Sequence, residues 1–358
     1  MVHLRLSRFL IPLLKCCPVF LATAFLCSAC DDDFSPNAEW RDIPSVFCLL
    51  DQDDDTIFVR LQRCYLGSDN LFSYSAIKDS VYYPDGTVEV VMRAWNSESD
   101  MLSGSVSPVR ELSFDCMLHD KVDGDFVSGP QPLFYHPVVS GDMDTAYLYQ
   151  LIVRRSATGE VIASSNTRLV GDADSRYGWL KSPSRVGSNG RVTFNMLTGV
   201  CTISWYPLSR GRLYQPYVMF YYRYRFSPDS LRSVDVACDA VLQSNVNSIE
   251  LNTSLYKEHY LGELSRMLVA DTNHKLFVDT VGIILKVANE HLNAYISSTS
   301  STGGQDFQVY NNIEGGVGLF ASRRSHLMEK VLADKGDQPT GMHTLLEQLR
   351  VGFQQDDL

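Results

Sequence analysis

The sequence predicts a mainly β protein: a β-sandwich over residues 45–170, followed by an α+β domain over residues 193–358. Three observations carry that expectation. From residue 45 onward, short runs place apolar residues at every second position and are separated by turn residues, as strands with one buried face do. Sustained helical periodicity, with apolar residues recurring three and four apart, first appears after residue 250. Hydrophobic residues make up 45% of the chain and charged residues 20%, which implies a packed core rather than a disordered polymer.

In chain order, residues 1–30 divide into the zones of a secretory signal. Arg5, Arg8 and Lys15 supply positive charge, Cys16 to Leu26 is apolar, and Cys27-Ser28-Ala29 supplies small residues for a peptidase. The apolar run meets Asp31 too soon to provide the about 20 residues that span a bilayer, which favours a cleaved signal over a membrane helix. Ser28-Ala29-Cys30 resembles a bacterial lipobox, with Cys27 where Leu is usual. Cys30 is therefore expected to carry diacylglycerol and to become the new N-terminus. Asp31-Asp32-Asp33 resembles an export signal that sends lipoproteins to the outside of the outer membrane, and residues 31–44 form an acidic tether.

Within 45–170, Val46 to Leu50 and the series Ile57, Val59, Leu61 read as two strands joined by the acidic loop Asp51 to Asp55. Pro84-Asp85-Gly86 is a turn, after which Val88, Val90, Met92 and Ala94 share one face. Tyr147, Tyr149, Leu151 and Val153 lead through Ala157-Thr158-Gly159-Glu160 into Val161-Ile162-Ala163, a hairpin with Gly at the bend. This region resembles an immunoglobulin-like module. Residues 171–192, rich in Gly, Ser, Asp and Arg, read as a connecting segment. Strands follow over 193–226, the strongest from Tyr217 to Phe226. There Val218, Phe220, Tyr222, Tyr224 and Phe226 share one face, and Met219, Tyr221, Arg223 and Arg225 share the other. Helices are expected near 254–269, 325–334 and 342–353, with a strand at Val281 to Val287 and a short helix at Glu290 to Ile296.

Loss of Arg5, Arg8 and Lys15 with the signal takes the basic groups from 31 to 28 against 42 acidic ones, a net charge of −14. That balance argues against nucleic acid as a partner, because phosphate binding needs clustered Lys and Arg. Setting aside the signal and Cys30 leaves Cys48, Cys64, Cys116, Cys201 and Cys238. They are odd in number and contain no Cys-x-x-Cys, so neither a zinc site nor a dense disulfide framework is indicated, and their pairing stays open. His119, His136, His259, His274, His291, His326 and His343 are scattered singly, without metal-site spacing.

Several segments together resemble a family of Bacteroidota-type outer-membrane lipoproteins that carries a domain of unknown function and is often encoded near TonB-dependent transporters. The residues that carry the resemblance are Ser28-Ala29-Cys30 with its acidic tail, Thr56 to Leu61, Asp79 to Pro84, Leu213 to Pro216 leading into Phe220-Tyr221-Tyr222, and Asn311 to Phe320. The resemblance implies a cell-surface location, a β-rich body and a TonB-dependent transporter as a partner. It implies no reaction.

Asp51, Asp53 and Asp55 have the opening spacing of an EF-hand loop, but Thr56 stands at its sixth position and Gln62 at its twelfth, so a solvated acidic hairpin is expected. Arg323-Arg324 reads as solvated charge. Asn312, Gly315, Gly316, Gly318 and Phe320 form a family-like glycine turn; Gly-x-Gly-x-x-Gly spacing is missing, so a tight turn packed by Phe320 is expected rather than a phosphate loop. Tyr221, Arg223 and Arg225, with Trp205 and Tyr206 upstream, form a candidate platform on which a sugar or peptide stacks. Neither Gly-x-Ser-x-Gly nor His-Glu-x-x-His occurs, so no catalytic residue, metal or cofactor is assigned. The expected role is a surface-anchored, non-catalytic binding or transporter-accessory module that captures a nutrient, glycan or peptide. An adhesin or structural surface protein is the alternative, and a secreted hydrolase with an unrecognised site the third.

Overall fold

A computed structural model describes residues 41–64, 75, 77–120, 129–172, 180–181, 191–192, 200–224, 227–244, 250–268, 275–300, 309–333 and 353–354. The signal, Cys30, Asp31-Asp32-Asp33, most of the tether and residues 342–352 of the last expected helix lie outside them.

The alternating runs become strands. The first region holds β1 (Pro44–Leu50), β2 (Thr56–Arg63), α1 (Lys78–Val81), β3 (Val88–Trp95), α2 (Glu98–Ser103), β4 (Arg110–Ser113), β5 (Asp115–His119), β6 (Gln131–Pro137), β7 (Leu148–Arg155) and β8 (Val161–Arg168). Then come β9 (Leu180–Lys181), β10 (Arg191–Val192), β11 (Val200–Trp205), β12 (Leu213–Tyr224), β13 (Ser227–Ala237), β14 (Val241–Leu242) and β15 (Leu251–Tyr256). The last elements are α3 (Lys257–Met267), β16 (Lys275–Ala288), α4 (Glu290–Ser300), β17 (Val317–Ala333) and β18 (Phe353–Gln354). The protein is mainly β, with three sheets among the described residues. One runs β13-β12-β16-β17-β1-β2-β6-β5, with β14, β18 and β10 beside β12, β16 and β17; the others are β4-β3-β7-β8 and β15-β11-β9.

Alternation explains the first core. Val46, Cys48 and Leu50 of β1 and Ile57, Val59 and Leu61 of β2 face Val90, Met92 and Ala94 of β3 and Tyr149, Leu151 and Val153 of β7 in one buried cluster. Each side chain of this kind contributes about 1.5–3 kcal/mol when removed from water. Gly159 (φ +72°) turns the β7–β8 hairpin, and Gly86 (φ +70°) the bend before β3.

The first core does not close near residue 170. β17 lies parallel to β1, from Ser45 opposite Val317 to Leu50 opposite Ser322, and Phe320 enters the cluster. The helix expected at 325–334 is a strand in the structure. Residues Arg323 to Leu332 continue β17 and pair antiparallel with β16, from Ala288 to Thr280. Leu327, Met328, Val331 and Leu332 have helical spacing, but so short an apolar run suits either element, and pairing with β16 decides between them.

The second core brings Tyr214, Val218 and Phe220 of β12 and Ile283, Leu285 and Val287 of β16 against Ile203 and Trp205 of β11, Leu255 of β15 and Tyr260 and Leu264 of α3. α3 falls within the expected 254–269, and β15 takes the residues just before it. α4 extends the helix expected from Glu290; the Asn289 carboxamide oxygen accepts from the Leu292 N–H at 3.0 Å and caps it. The Tyr295 ring of α4 meets Phe47 of β1 edge-on at 5.9 Å, so this helix covers the outer face of the long sheet. Among the described residues no helix is long and apolar enough to cross a membrane.

Candidate functional site

A cleft of about 360 Å³ opens at one end of the first core. Its origin is a change of sheet. β4 pairs with β3 only as far as Ser113 opposite Val91; the chain then crosses at Phe114 to become β5 of the other sheet. The start of β3 is left without β4 beside it, and the gap between β3 and β5 is the cleft. Leu61, Val88, Phe114 and Phe134 give it an apolar floor, while Asp85, Glu89, Asp115 and Cys116 stand around it. The Pro84-Asp85-Gly86 turn holds Asp85 there, tightened by the Thr87 hydroxyl, which donates to the Pro84 carbonyl at 2.7 Å.

The three carboxylates differ. Glu89 is held by Arg154, whose Nε and Nη2 donate to its two oxygens at 2.8 and 3.0 Å, and this bonding lowers the Glu89 pKa. Asp85 and Asp115 are exposed and have no ion pair among the described residues. Partial loss of hydration beside the cleft, and then the nearby Asp85 charge, raises the pKa of the exposed Cys116 thiol and so lowers its thiolate fraction. At the side of the cleft the Tyr83 hydroxyl donates to Asp42 at 3.2 Å, and burial followed by the Asp42 charge pushes that hydroxyl up. Arg63 Nε donates to the same carboxylate at 3.1 Å, Arg155 also pairs with it, and the Arg63 guanidinium lies 5.3 Å over the Tyr83 ring. The chain thus enters β1 pinned beside the cleft. An apolar floor with negative charge at its rim suits a cationic group on an apolar stem.

The candidate platform is not one surface. Trp205 is wholly buried in the second core, 5.8 Å from the Tyr214 ring, which corrects its assignment as a stacking face. Strand alternation points it inward, and its indole N–H has no hydrogen-bond partner among the described residues. Tyr206 is half-buried, and Arg225 lies outside the described residues. Tyr221 and Arg223 do share the outer face of β12, with Arg223 exposed, but the Tyr221 hydroxyl lies across the neighbouring strand, where a Cβ on Gly282 would meet it at 2.8 Å. That hydroxyl donates to the Met219 sulfur at 3.5 Å.

The glycine turn is a clasp between strands. Asn312 Nδ2 donates to the Phe320 carbonyl at 2.7 Å, and the Phe320 N–H donates to Asn312 Oδ1 at 3.0 Å. A Cβ would lie 2.5 Å from the Ile162 carbonyl oxygen at Gly315, 2.6 Å from that of Pro44 at Gly316 and 2.0 Å from that of Val46 at Gly318. The glycines therefore let this segment pass against β8 and β1, with Ser165 Oγ donating to the Asn312 carbonyl at 2.6 Å.

The acidic loop and Arg323-Arg324, both expected to be solvated, meet instead. Arg323 reaches Asp51 at 3.8 Å and Asp54 at 3.6 Å; Arg324, nearly buried, reaches Asp53 at 3.4 Å and Asp172 at 2.6 Å. These arginines already supply the positive charge that an ion would bring. Among the described residues, no three side chains are grouped to hold a metal. Among the described residues, Cys48, Cys64 and Cys116 form no disulfide.

Asp85 was legible only as a turn residue and Glu89 only as a strand position, and nothing along the chain singled out Asp115. The cleft draws on segments far apart in the chain, and their convergence has no local signature.

No family model matches the chain, and no curated protein does. Among solved structures, a chain described as "Cytokine receptor complex - Crystal form 2" is similar at a TM-score of 0.20 and 11% identity, over 70% of this chain and 92% of that one.

Proposed function

We propose that this protein is a lipid-anchored, non-catalytic binding module of the outer membrane whose ligand enters the end cleft. The cleft carries the reading: about 360 Å³ lies in the size range of ligand sites, with an apolar floor and a few polar groups at the rim. The anchor rests on Ser28-Ala29-Cys30, and exposure at the cell surface on Asp31-Asp32-Asp33.

The fold reading belongs with it. The order β5-β6-β2-β1 facing β4-β3-β7-β8, with β17 added beside β1, supports the reading of an immunoglobulin-like sandwich. Tyr149, near the start of β7, donates its hydroxyl to the Asp142 carbonyl at 2.9 Å, which resembles the tyrosine corner of such modules. The second core, with α3 packed on two sheets, is an α+β domain in this reading.

Two experiments test the proposal. Cys30→Ala in the full chain is expected to abolish labelled-palmitate incorporation and membrane fractionation; retention of both overturns the anchor. A glycan and peptide panel is expected to yield a ligand, or affinity purification a membrane partner such as a TonB-dependent transporter. Failure of both overturns the binding role.

A further inference from the structure

We infer, resting on the cleft as a binding site, that its occupant is an extended basic polypeptide segment that adds as a strand to the edge of β5 that no other strand pairs with among the described residues. A Lys or Arg side chain of that segment enters the cleft against Asp85 and Asp115.

The edge comes first. β5 ends the eleven-stranded sheet, and among the described residues it pairs only with β6, from Asp115 opposite Tyr135 to His119 opposite Gln131. Its other edge presents backbone N–H and C=O groups to any strand that approaches. All five of its residues are exposed, Leu118 at 61% and Met117 at 38%, so apolar surface lies along the same edge. Strand addition satisfies the backbone groups, and alternate side chains of the added strand reach the pockets beside it.

Charge selects the occupant. Glu89 is neutralised by Arg154, whereas Asp85 and Asp115 leave two uncompensated carboxylates at the cleft. Their field, reinforced by a net charge of −11, repels phosphate and acidic segments. The apolar floor of Val88, Phe114 and Phe134 suits the methylene stem of Lys or Arg below its charged head.

The full chain is titrated with the blocked heptapeptide Thr-Lys-Val-Lys-Val-Lys-Thr, its counterpart with Glu for Lys, two versions N-methylated on either set of alternate residues, and n-butylamine. The Lys peptide is expected to bind and to slow amide exchange over residues 115–119. The double variant Asp85→Asn, Asp115→Asn, at exposed positions and checked for fold by circular dichroism, is expected to weaken it about tenfold at low salt, with a smaller effect as salt rises. One N-methylated register is expected to lose binding and the other to keep it. Equal binding of the Lys and Glu peptides overturns the charge argument, and equal binding of both N-methylated registers overturns strand addition. Binding of n-butylamine without the peptide overturns this inference and leaves the cleft as a cation site. Absence of binding by every probe overturns it too, with the broader binding role then judged by the panel alone.

Discussion

At Asp51, burial outweighs pairing. The residue is 5% exposed, Arg323 stands 3.8 Å away and is itself half exposed, and lost hydration raises the carboxyl pKa to about 6. A raised pKa means that the folded state holds the proton more tightly than the unfolded chain. The contribution to stability is therefore present below about pH 4 and is lost as pH rises through about 6. Asp51→Asn is expected to gain on the wild type by about 2–3 kcal/mol between pH 4 and 7.5, measured by denaturant melts at each pH. A difference that does not change with pH would contradict this account. Gly318 combines φ +130° with a close approach to the Val46 carbonyl, whereas Gly104 (φ +64°) has open space around it. Gly318→Ala is expected to destabilise by about 3 kcal/mol or more and Gly104→Ala by about 1 kcal/mol, again by denaturant melts. Trp205→Ala is expected to lose about 3–5 kcal/mol. Trp205→Phe should lose less than half of that, because it also removes a buried donor that has no partner among the described residues; equal losses would assign the indole N–H a partner.

Strand β17 governs the element scale. Its first part pairs with β1 and its remainder with β16, so one strand is hydrogen-bonded to a strand of each core. Asn312 holds the approach to it through two bonds to the Phe320 backbone. Asn312→Ala is expected to lower stability by about 1–3 kcal/mol, since it leaves both backbone groups to find other partners. A fragment ending at residue 172 keeps β1 to β8 but lacks Phe320 and the strand beside β1. It is expected to show weak near-ultraviolet dichroism and a broad thermal transition; a sharp, cooperative transition would show that the first core closes without β17.

For the whole molecule, the shared strand predicts coupled unfolding. Phe320→Ala in the first core and Leu264→Ala in the second are each expected to shift one common midpoint, read by far-ultraviolet dichroism and tryptophan fluorescence. Two separated transitions would show that the cores unfold independently. The same strand marks the limit of what was legible along the chain. Alternation placed Val218 and Phe220 inward and Tyr221 and Arg223 outward, Gly86 and Gly159 fell at turns, and the spacing of Tyr260, Leu264 and Leu268 announced α3. Those features are set within a few residues by side-chain period and backbone freedom, so the sequence by itself determined a mainly β chain with its turns and central helix. It did not reveal that Val317 to Ser322 would lie beside Ser45 to Leu50, that Arg323 and Arg324 would meet the Asp51 to Asp54 loop, or that Asp85 and Asp115 would face one cleft. Only the tertiary structure decided these contacts, because pairing between distant segments depends on which surfaces remain to be covered once the local elements have formed, and that requirement leaves no periodic trace in either partner.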